Sequence, residues 1–413
     1  MGGRRSVNRT LARFLLSLFP SSQPLNPPMS DVSVVPVRTR RDRRDFFNLP
    51  WRLYRNDPNW VPPLRDNLKQ LLGWKPHPFH DVAEVETFVA RRGEQTVGRV
   101  AAILYHRHNE VYQERRGFFG FFECEDDSEA SRALFDAVAE WFAQRGISQL
   151  RGPMNPSMNY ECALLIEGFD RPPVFMMTYN PPYYARLIEE YGFRKTHDLL
   201  AYIGHIEQLP EVNQRLGPLV EQAKQRAGVH LRPMDPARLF DEAKLFLETY
   251  NRACQTMWGF VPLTEGEVRT MAGNLRYLLV PELALAAVNE EGKTVGVVFG
   301  LPDFNPVIKQ IDGRLFPFGF WKILRAKKRI ERIRVVSINV VPEYQRWGVG
   351  LVLLNGLVPK ALELGIREAE FSWVSETNDL ARLGLEKGGA KLYKRYRIYD
   401  LDLEGPPGTA GEG

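Results

Sequence analysis

The chain has 413 residues, of which 44% are hydrophobic and 25% charged, and its net charge is +5. This composition is typical of a globular protein of two or three domains and excludes a disordered or fibrous chain. The three cysteines (Cys124, Cys162 and Cys254) are widely spaced, so we expect neither a disulfide framework nor a metal site, and a reduced compartment. No apolar run reaches the roughly 18 residues that a membrane span needs.

The two ends of the chain differ in composition from the rest. Residues 1–30 hold an apolar run that Arg13 interrupts, followed by Pro and Ser residues, with no small-residue cleavage site. We therefore expect a flexible extension instead of a signal peptide, with a short amphipathic surface anchor as the alternative. Residues 405–413 are expected to form a disordered tail. With no export signal, the expected location is cytoplasmic.

The first half alternates strand and helix patterns. Its helix over 42–54 contains Pro50, which is expected to divide it. Asp127 or Ser128 is a suitable N-cap for the later helix. The predicted elements are strand 34–37, helix 42–54, strands 85–91, 96–104 and 117–124, helix 128–145, strand 149–151, helix 182–191 and strand 199–206.

The second half repeats this order after a polar linking helix. Thr96-Val-Gly recurs as Thr294-Val-Gly, and Asn180 recurs as Asn378 at the same separation, which indicates an internal duplication. The predicted elements are linking helix 211–227, strand 229–232, helices 236–255 and 264–277, strands 283–288, 294–301 and 334–340, helix 351–364, strand 368–374, a short helix from 379 and closing strands near 391–403.

One loop of the second half indicates chemistry. Gln345-Arg-Trp-Gly-Val-Gly350 follows a β-branched strand and begins an amphipathic helix. The first N–H groups of a helix lack internal partners and carry part of the helix dipole, so they bind anions. Gly348 and Gly350 would let a phosphate approach the backbone. The loop is neither a P-loop nor a dinucleotide-binding fingerprint.

The loop, written Q/R-x-x-G-x-G/A, resembles the acyl-CoA pyrophosphate loop of the GNAT acyltransferase superfamily. Together with the duplication, the resemblance implies an α/β fold of two tandem GNAT-like domains, each a mixed central sheet flanked by helices with a splayed parallel strand pair. It divides the chain into a degenerate domain (31–208), a linker helix (209–227) and an acyltransferase domain (228–404). The first half has carboxylates over 125–129 at the corresponding place, which would repel a pyrophosphate.

The resemblance also implies roles for individual residues. Acyl-CoA, the expected cosubstrate, would meet backbone groups of two valines, the pyrophosphate loop and a later Asn. The implied cofactor-binding residues are Val340, Val341, Gln345, Arg346, Trp347, Gly348, Val349, Gly350 and Asn378. For Asn378, a helix N-cap is the alternative. No metal is expected.

The catalytic and acceptor residues are less directly implied. The Tyr that the family often places after this Asn is Leu385 here, so Tyr393 and Tyr396 are the nearest residues to protonate the leaving thiolate, and we select Tyr393. Glu376 is the candidate base, with a solvated loop carboxylate as the alternative. Asn251 and Trp258 are candidates for the acceptor pocket, although Trp258 could equally pack onto the core.

The insertion over 303–333 holds a basic and aromatic segment. Residues 314–334 contain eight basic residues and one acidic residue, interleaved with Phe and Trp. Such a segment favours peripheral contact with an anionic membrane, where each cation contributes about 1 kcal/mol. A packed insertion is the main alternative. No nucleic-acid-binding fold accompanies the segment, so no nucleic acid partner is expected.

Two further motifs narrow the resemblance. Tyr179-Asn-Pro-Pro-Tyr-Tyr184 and Gly168-Phe-Asp-Arg-Pro-Pro173 are similar to a bacterial group that includes ceramide synthase-like proteins. This implies transfer of an acyl group from acyl-CoA to an amine, and specifically of a long fatty acyl group to a sphingoid base at the inner face of the membrane. A non-catalytic acyl-CoA sensor or scaffold, or an acetyltransferase acting on a soluble amine, are the alternatives.

Overall fold

A mixed sheet of 13 strands runs through both halves of the chain, with helices on both faces. The computed structural model describes residues 31–327 and 329–403. The predictions for residues 1–30 and 405–413 lie outside these ranges. Within them, the predicted α/β fold, a mixed central sheet flanked by helices in both halves, is confirmed.

The strands follow the predicted order with shifted bounds, except that three short strands within 154–167 were not predicted and the closing strands near 391–403 are one strand. They are β1 (Val32–Pro36), β2 (Ala83–Arg92), β3 (Gln95–Tyr105), β4 (Arg116–Cys124), β5 (Gln149–Gly152), β6 (Met154–Asn155), β7 (Glu161–Cys162), β8 (Leu164–Glu167), β9 (Arg194–His205), β10 (Val229–Pro233), β11 (Ala284–Asn289), β12 (Thr294–Pro302), β13 (Arg332–Val340), β14 (Glu368–Ser375) and β15 (Lys391–Asp402).

The helices lie on both faces of this sheet. They are α1 (Arg40–Leu53), α2 (Arg65–Leu71), α3 (His106–Tyr112), α4 (Ser128–Ala143), α5 (Tyr184–Tyr191), α6 (Leu209–Ala227), α7 (Leu239–Ala253), α8 (Glu265–Leu275), α9 (Asn305–Gln310), α10 (Gly319–Ala326), α11 (Val349–Glu363) and α12 (Asp379–Lys387).

The two halves exchange their last strands. The sheet order is β1-β2-β3-β4-β5-β15-β9-β14-β13-β12-β11-β10, which reads as the same plan from either end. Strand β15 pairs with β5 of the first half, where Tyr399 lies opposite Gly152, and β9 pairs with β14 of the second half. The division of the chain by sequence order did not foresee this exchange, because a strand pattern does not specify its neighbour.

Helix α1 corrects one prediction. Pro50 lies inside the continuous helix Arg40–Leu53 and does not divide it. A proline cannot donate to the carbonyl four residues earlier, here that of Phe46. The buried guanidinium of Arg99 supplies a replacement, because its Nη1 donates to the Phe46 carbonyl at 2.8 Å.

Parallel strands β13 and β14 separate into a V in the second half. Their pairing runs from Arg332–Glu368 to Val335–Phe371 and ends there. A β-bulge leaves Val336 without a partner on β12, between the pairs Val335–Gly300 and Ser337–Phe299. Bulges redirect the side chains that follow. Beyond Val335, the described residues show no further pairing between β13 and β14.

The equivalent V of the first half is filled by its own chain. Strands β4 and β5 pair from Arg116–Gln149 to Phe118–Arg151, and the pairing ends there. Beyond that point the segment after β5 enters the gap, since the Asn155 Oδ1 accepts a 2.6 Å hydrogen bond from the Phe121 N–H. A Cβ on Gly120 would lie 1.6 Å from the Met154 carbonyl oxygen. This V has no room for a pantetheine arm.

Candidate active site

The loop before α11 has the geometry of an anion-binding turn. Gly348 has φ of 81°, in the left-handed region, and no side chain caps the helix that begins after it. A Cβ at Gly348 would also lie 2.8 Å from the Ala223 Cβ of α6, so backbone and packing both require glycine there. Gly350 is different, because a Cβ would make only ordinary contacts near 4 Å, with Ile338 and Val340. The fold itself does not require glycine at position 350.

The side chains of this loop are partly committed to its own structure. Gln345 Nε2 donates to the Val340 carbonyl at 3.1 Å, so this side chain ties the loop to the end of β13. Trp347 is 40% exposed and contacts the Tyr344 ring and the Arg226 guanidinium. The Val340 and Val341 side chains are buried under α11. The Val341 N–H donates to the Val295 carbonyl at 3.0 Å and the Val341 carbonyl accepts from the Tyr344 N–H at 2.9 Å, so this backbone is also largely paired within the protein.

In the matching turn of the first half, a carboxylate occupies the N–H groups at the start of the helix. Asp127 caps α4, and its carboxylate accepts hydrogen bonds from the N–H groups of Glu129 and Ala130 at 3.0 and 3.1 Å. Arg92 pairs with the Asp127 and Glu129 carboxylates. The N–H groups that a pyrophosphate would need are therefore occupied. Of the two matching turns, that of the first half is capped by Asp127 and that of the second half has no side-chain cap.

Two predicted residues have structural partners. Asn378 is the N-cap of α12, where its Oδ1 accepts from the Ala381 N–H at 3.1 Å. Glu376 accepts from Lys195 Nζ at 2.8 Å and from the Asp198 N–H at 2.9 Å. Burial raises the pKa of Glu376, but these partners outweigh it and hold the pKa below its usual value. A lowered pKa makes the ionised Glu376 carboxylate a weaker proton acceptor, and its role as the base stays a prediction.

A different carboxylate lies where the V begins. Glu370 on β14 is fully buried, and it accepts hydrogen bonds from the Tyr393 phenol of β15 and, at 2.5 Å, from the Ser372 hydroxyl. Burial raises the pKa of Glu370 to about 7, although Arg334 and the Ser372 hydroxyl act in the opposite direction. Tyr393, selected from the sequence, therefore meets a carboxylate that can exchange protons near neutral pH.

Arg334 on β13 links the start of the V to the first half through hydrogen bonds. It is 3% exposed, and its guanidinium donates to the Ser372 Oγ at 3.0 Å and to the Met176 carbonyl at 2.8 Å. It also lies over the Trp373 ring, 5.1 Å from the centroid. The loop around Met176, which belongs to the first half, thus covers the point where the V begins.

Lys394 on β15 lies near Glu370, at the start of the V. It is 1% exposed, and its ammonium donates to the carbonyls of Gly168 and Arg171. Burial lowers the pKa of Lys394 to about 8, while Glu370 raises it. A Cβ on Gly168 would overlap the Tyr393 carbonyl and the Lys394 side chain, so this loop lies tightly against β15.

The predicted acceptor loop lies against the first half. The Trp258 ring stacks on His197 at 4.3 Å and lies 4.6 Å from the Arg151 guanidinium. His197 in turn contacts the Ser375 hydroxyl at 2.9 Å, which places Trp258 beside the end of β14. Asn251 has a buried Oδ1 that finds no partner among the described residues. The loop lines the side of the V, and packing explains much of the position of Trp258.

The insertion forms an exposed aromatic tip. Phe316, Phe318 and Trp321 are 85%, 71% and 60% exposed, whereas Ile323 of the same helix, α10, is buried. Lys322 and Arg325 are exposed beside these rings. In the described part of the chain, no helix combines the length and apolarity needed to cross a membrane.

Sequence reasoning missed the polar residues at the start of the V. Arg334, Glu370, Ser372 and Lys394 all lie in strands at the centre of the sheet and are buried. A central strand covered on both faces should read as continuously apolar. The signal was therefore available as charged residues in strand patterns, such as Glu370 between Ala369 and Phe371.

Two curated proteins are similar in sequence to this chain over about nine tenths of its length. No family model matches the chain. A bacterial ceramide synthase from Caulobacter vibrioides is 35% identical over 388 residues, which cover 92% of this chain and 100% of the relative. Protein YghO of Escherichia coli is 36% identical over 376 residues, covering 89% of this chain and 95% of the relative.

Solved structures support the fold alone. A tandem GNAT protein from the clavulanic acid biosynthesis pathway superposes with a TM-score of 0.56 at 14% identity, covering 91% of this chain and 100% of that one. A GCN5-related N-acetyltransferase from Sphaerobacter thermophilus gives 0.51 at 14% identity, with 90% and 96% covered.

Proposed function

The chain belongs to the tandem GNAT family of bacterial ceramide synthase-like proteins and is an acyltransferase, and from this premise we propose that it transfers a long fatty acyl group from acyl-CoA to the amine of a sphingoid base. The observation that carries the proposal is the hydrogen bond from the part-buried Tyr393 to the buried Glu370 where the V begins, in a chain similar over 92% of its length to a ceramide synthase. The pyrophosphate would lie on the turn before α11 and the thioester near Val335 and Phe371.

The proposed reaction balances in the following way. The acceptor enters as an ammonium and loses two protons, its nitrogen bonds to the thioester carbon, and the C–S bond breaks. Glu370 takes a proton from the amine, because its raised pKa of about 7 lets it exchange protons at neutral pH. Tyr393 gives its phenol proton to the thiolate and regains one from Glu370. The second proton leaves to solvent.

The first half would supply one side of this site. Its loop around Met176 holds Arg334, and its carbonyls at Gly168 and Arg171 hold Lys394. These contacts fix the charges around Glu370. The first half would therefore position the catalytic groups, while its own filled V binds no cofactor.

We further propose that the aromatic tip contacts an anionic membrane surface. Three exposed rings beside a basic segment would enter the headgroup boundary while the cations meet anionic lipid. Both proposed substrates carry long apolar chains and would partition into such a surface. The interpretation as a packed insertion accounts for Ile323 but not for Phe316, Phe318 and Trp321.

Purified full-length protein tests the proposal directly. Palmitoyl-CoA and a sphingoid base should give free thiol together with an amide product detectable by mass spectrometry, and Tyr393→Phe should lower its rate of formation. Thiol release with short soluble amines but not with a sphingoid base would support the acetyltransferase alternative. Binding of acyl-CoA without turnover on any amine would indicate a sensor.

A further inference from the structure

Strand β7, which belongs to the first half, carries the carboxylate of Glu161 close to Arg334 of the second half. Glu161 lies on β7, and Arg334 is near enough for its charge to lower the pKa of Glu161. Burial nevertheless raises that pKa to about 7. Part of the Glu161 surface remains accessible. Glu161 is therefore a part-exposed carboxylate of the first half close to Arg334 of the second.

Two polar groups of strands β14 and β15 have no partner among the described residues. Tyr396 on β15 is fully buried, and its hydroxyl makes no hydrogen bond within residues 31–327 and 329–403. The indole N–H of Trp373 is also buried and unpartnered in the same ranges. The two rings lie edge to face, 6.4 Å apart. An unsatisfied buried polar group is costly, so each requires an explanation.

These groups share one environment with the proposed catalytic pair. Tyr396 interacts electrostatically with Glu370 and Arg334, and Arg334 interacts with Glu161. Trp373, Tyr393 and Tyr396 also belong to the same packed cluster, on the first half's side of the sheet. A carboxylate, a phenol and an indole thus all lie near the Arg334 guanidinium, which is 5.1 Å from the Trp373 ring centroid.

We propose that Glu161, Tyr396 and Trp373 bind the polar headgroup of the acceptor. The Glu161 carboxylate would hold the ammonium, and the phenol and indole N–H would hydrogen-bond an oxygen close to that nitrogen. The indole N–H can only donate, so the ligand must present a lone pair there. The site therefore takes an amine with a neighbouring hydroxyl or keto oxygen and discriminates against a plain alkylamine. This inference rests on the proposed function, whose acceptor it specifies.

The proposed reaction also needs a group such as Glu161 that binds the acceptor amine. An acceptor ammonium must be held before Glu370 deprotonates it, and two carboxylates allow one group to bind while the other accepts the proton. Alternatively, the Tyr396 phenol and the Trp373 indole could bind the thioester carbonyl instead of the acceptor. Kinetics with different acceptors distinguish these two roles. A group that binds the acceptor affects the KM for the amine, whereas a group that binds the thioester affects every reaction of the donor.

Tyr396→Phe is the sharpest variant, because it removes only an unpartnered hydroxyl. Tyr399→Phe is the matched control: Tyr399 is also fully buried on β15, but its hydroxyl donates to Glu189 at 2.9 Å away from the site. Two acceptors of equal chain length are compared, a 2-amino alcohol and an alkylamine without oxygen, with palmitoyl-CoA as donor. Wild-type protein should prefer the amino alcohol in kcat/KM by about 10- to 100-fold, the range expected when a buried polar group loses its partner.

In Tyr396→Phe this preference should fall about tenfold or more through the KM of the amino alcohol, with the alkylamine unchanged and the melting temperature not lowered. Glu161→Gln should raise the KM of both amines while the Kd of palmitoyl-CoA stays constant. Tyr399→Phe should leave the preference intact. Trp373→Phe provides a second variant with the same expected loss.

Three outcomes would overturn the inference. Equal effects of Tyr396→Phe on both acceptors, or a fall in acceptor-independent hydrolysis of palmitoyl-CoA, would assign the hydroxyl to the thioester. An unchanged preference in Tyr396→Phe and Trp373→Phe would remove the headgroup site. If no amine is turned over, the proposed function itself fails. Calorimetric binding of the amino alcohol to wild-type protein but not to Glu161→Gln would even then support the headgroup site, and equal binding would reject it.

Discussion

Glu370 accepts a hydrogen bond from Tyr393, and these two residues come from neighbouring parts of the sequence whose strands are separated in the sheet by β9 of the first half. Each is enclosed by groups that the first half holds in place, through Arg334 on one side and Lys394 on the other. The pair therefore depends on the exchange of strands as much as on its own sequence.

We expect Tyr393→Phe and Glu370→Gln each to lower kcat by about 100-fold, the lower range for a lost acid or base, without changing the Kd of palmitoyl-CoA. Since the two residues act as one relay, the double variant should lose little more than either single variant. The pH profile of kcat should show an ascending limb near 7 that Glu370→Gln removes, because only the ionised carboxylate can act as base.

Tyr191→Phe is a suitable control for that pair, because the Tyr191 hydroxyl donates to Asp136 at 2.9 Å within the first half. Its pH profile should match the wild type. Additive losses in the double variant would mean that Tyr393 and Glu370 act independently.

Gly350→Ala should separate stability from binding. A glycine inside a helix costs roughly 0.5–1 kcal/mol relative to alanine, and a Cβ meets nothing closer than 3.9 Å here, so the free energy of unfolding should rise. The affinity for acyl-CoA should fall if a phosphate approaches the backbone at this point. Denaturant unfolding and calorimetry measure the two quantities.

Gly273→Ala on α8 is the matched substitution, since a Cβ there meets nothing within 4 Å. It should raise stability similarly and leave acyl-CoA binding unchanged. Unchanged affinity in Gly350→Ala would argue against a close phosphate contact at this glycine.

Glu161→Gln should stabilise the protein above neutral pH. The native pKa of about 7 exceeds the ordinary value of 4.5, so the native state binds the proton more tightly and this residue's contribution to stability falls as pH rises from about 4.5 through 7. Removing the charge should raise the free energy of unfolding at pH 8 by about 2 kcal/mol, a value reduced from the full linkage figure because Glu161 is part-exposed.

The difference between Glu161→Gln and wild type should shrink towards zero at pH 5, as measured by urea unfolding at both pH values. Glu167→Gln, at an exposed carboxylate paired with Arg395, provides a comparison that should show no such pH-dependent gain. Destabilisation by Glu161→Gln at pH 8 would mean that the carboxylate is held by a favourable ion pair.

The halves should not fold separately. A fragment of residues 31–227 lacks β15, and one of residues 228–403 lacks β9, so each has an unpaired edge at the centre of the sheet. We expect neither fragment alone to unfold cooperatively, and co-expression to restore a single transition and acyl transfer. Cooperative unfolding of either isolated fragment, measured by calorimetry, would contradict this prediction.

The aromatic tip should direct membrane binding. Replacing Phe316, Phe318 and Trp321 with Ser should lower co-sedimentation with phosphatidylglycerol vesicles by at least about tenfold, because the rings supply the apolar contact. Lys322→Glu with Arg325→Glu should weaken it in a salt-dependent way. Leu380 and Leu383 on α12, 70% and 53% exposed, can be changed to Ser as a control. Equal binding by all variants would place the membrane contact elsewhere.

Local patterns determined the order of strands and helices, the duplication and the anion-binding turn, because periodicity, caps and glycine spacing act over a few residues. Tyr393 was selected from the sequence alone. The partners of each residue were decided by tertiary structure. Neither the pairing of β15 with β5 nor the position of Glu370 beside Tyr393 follows from a local pattern, since both depend on which strands are neighbours. Glu370 joins Glu376 as a proposed base for the same reason: burial and ion pairs set the pKa of a carboxylate, and the sequence shows neither.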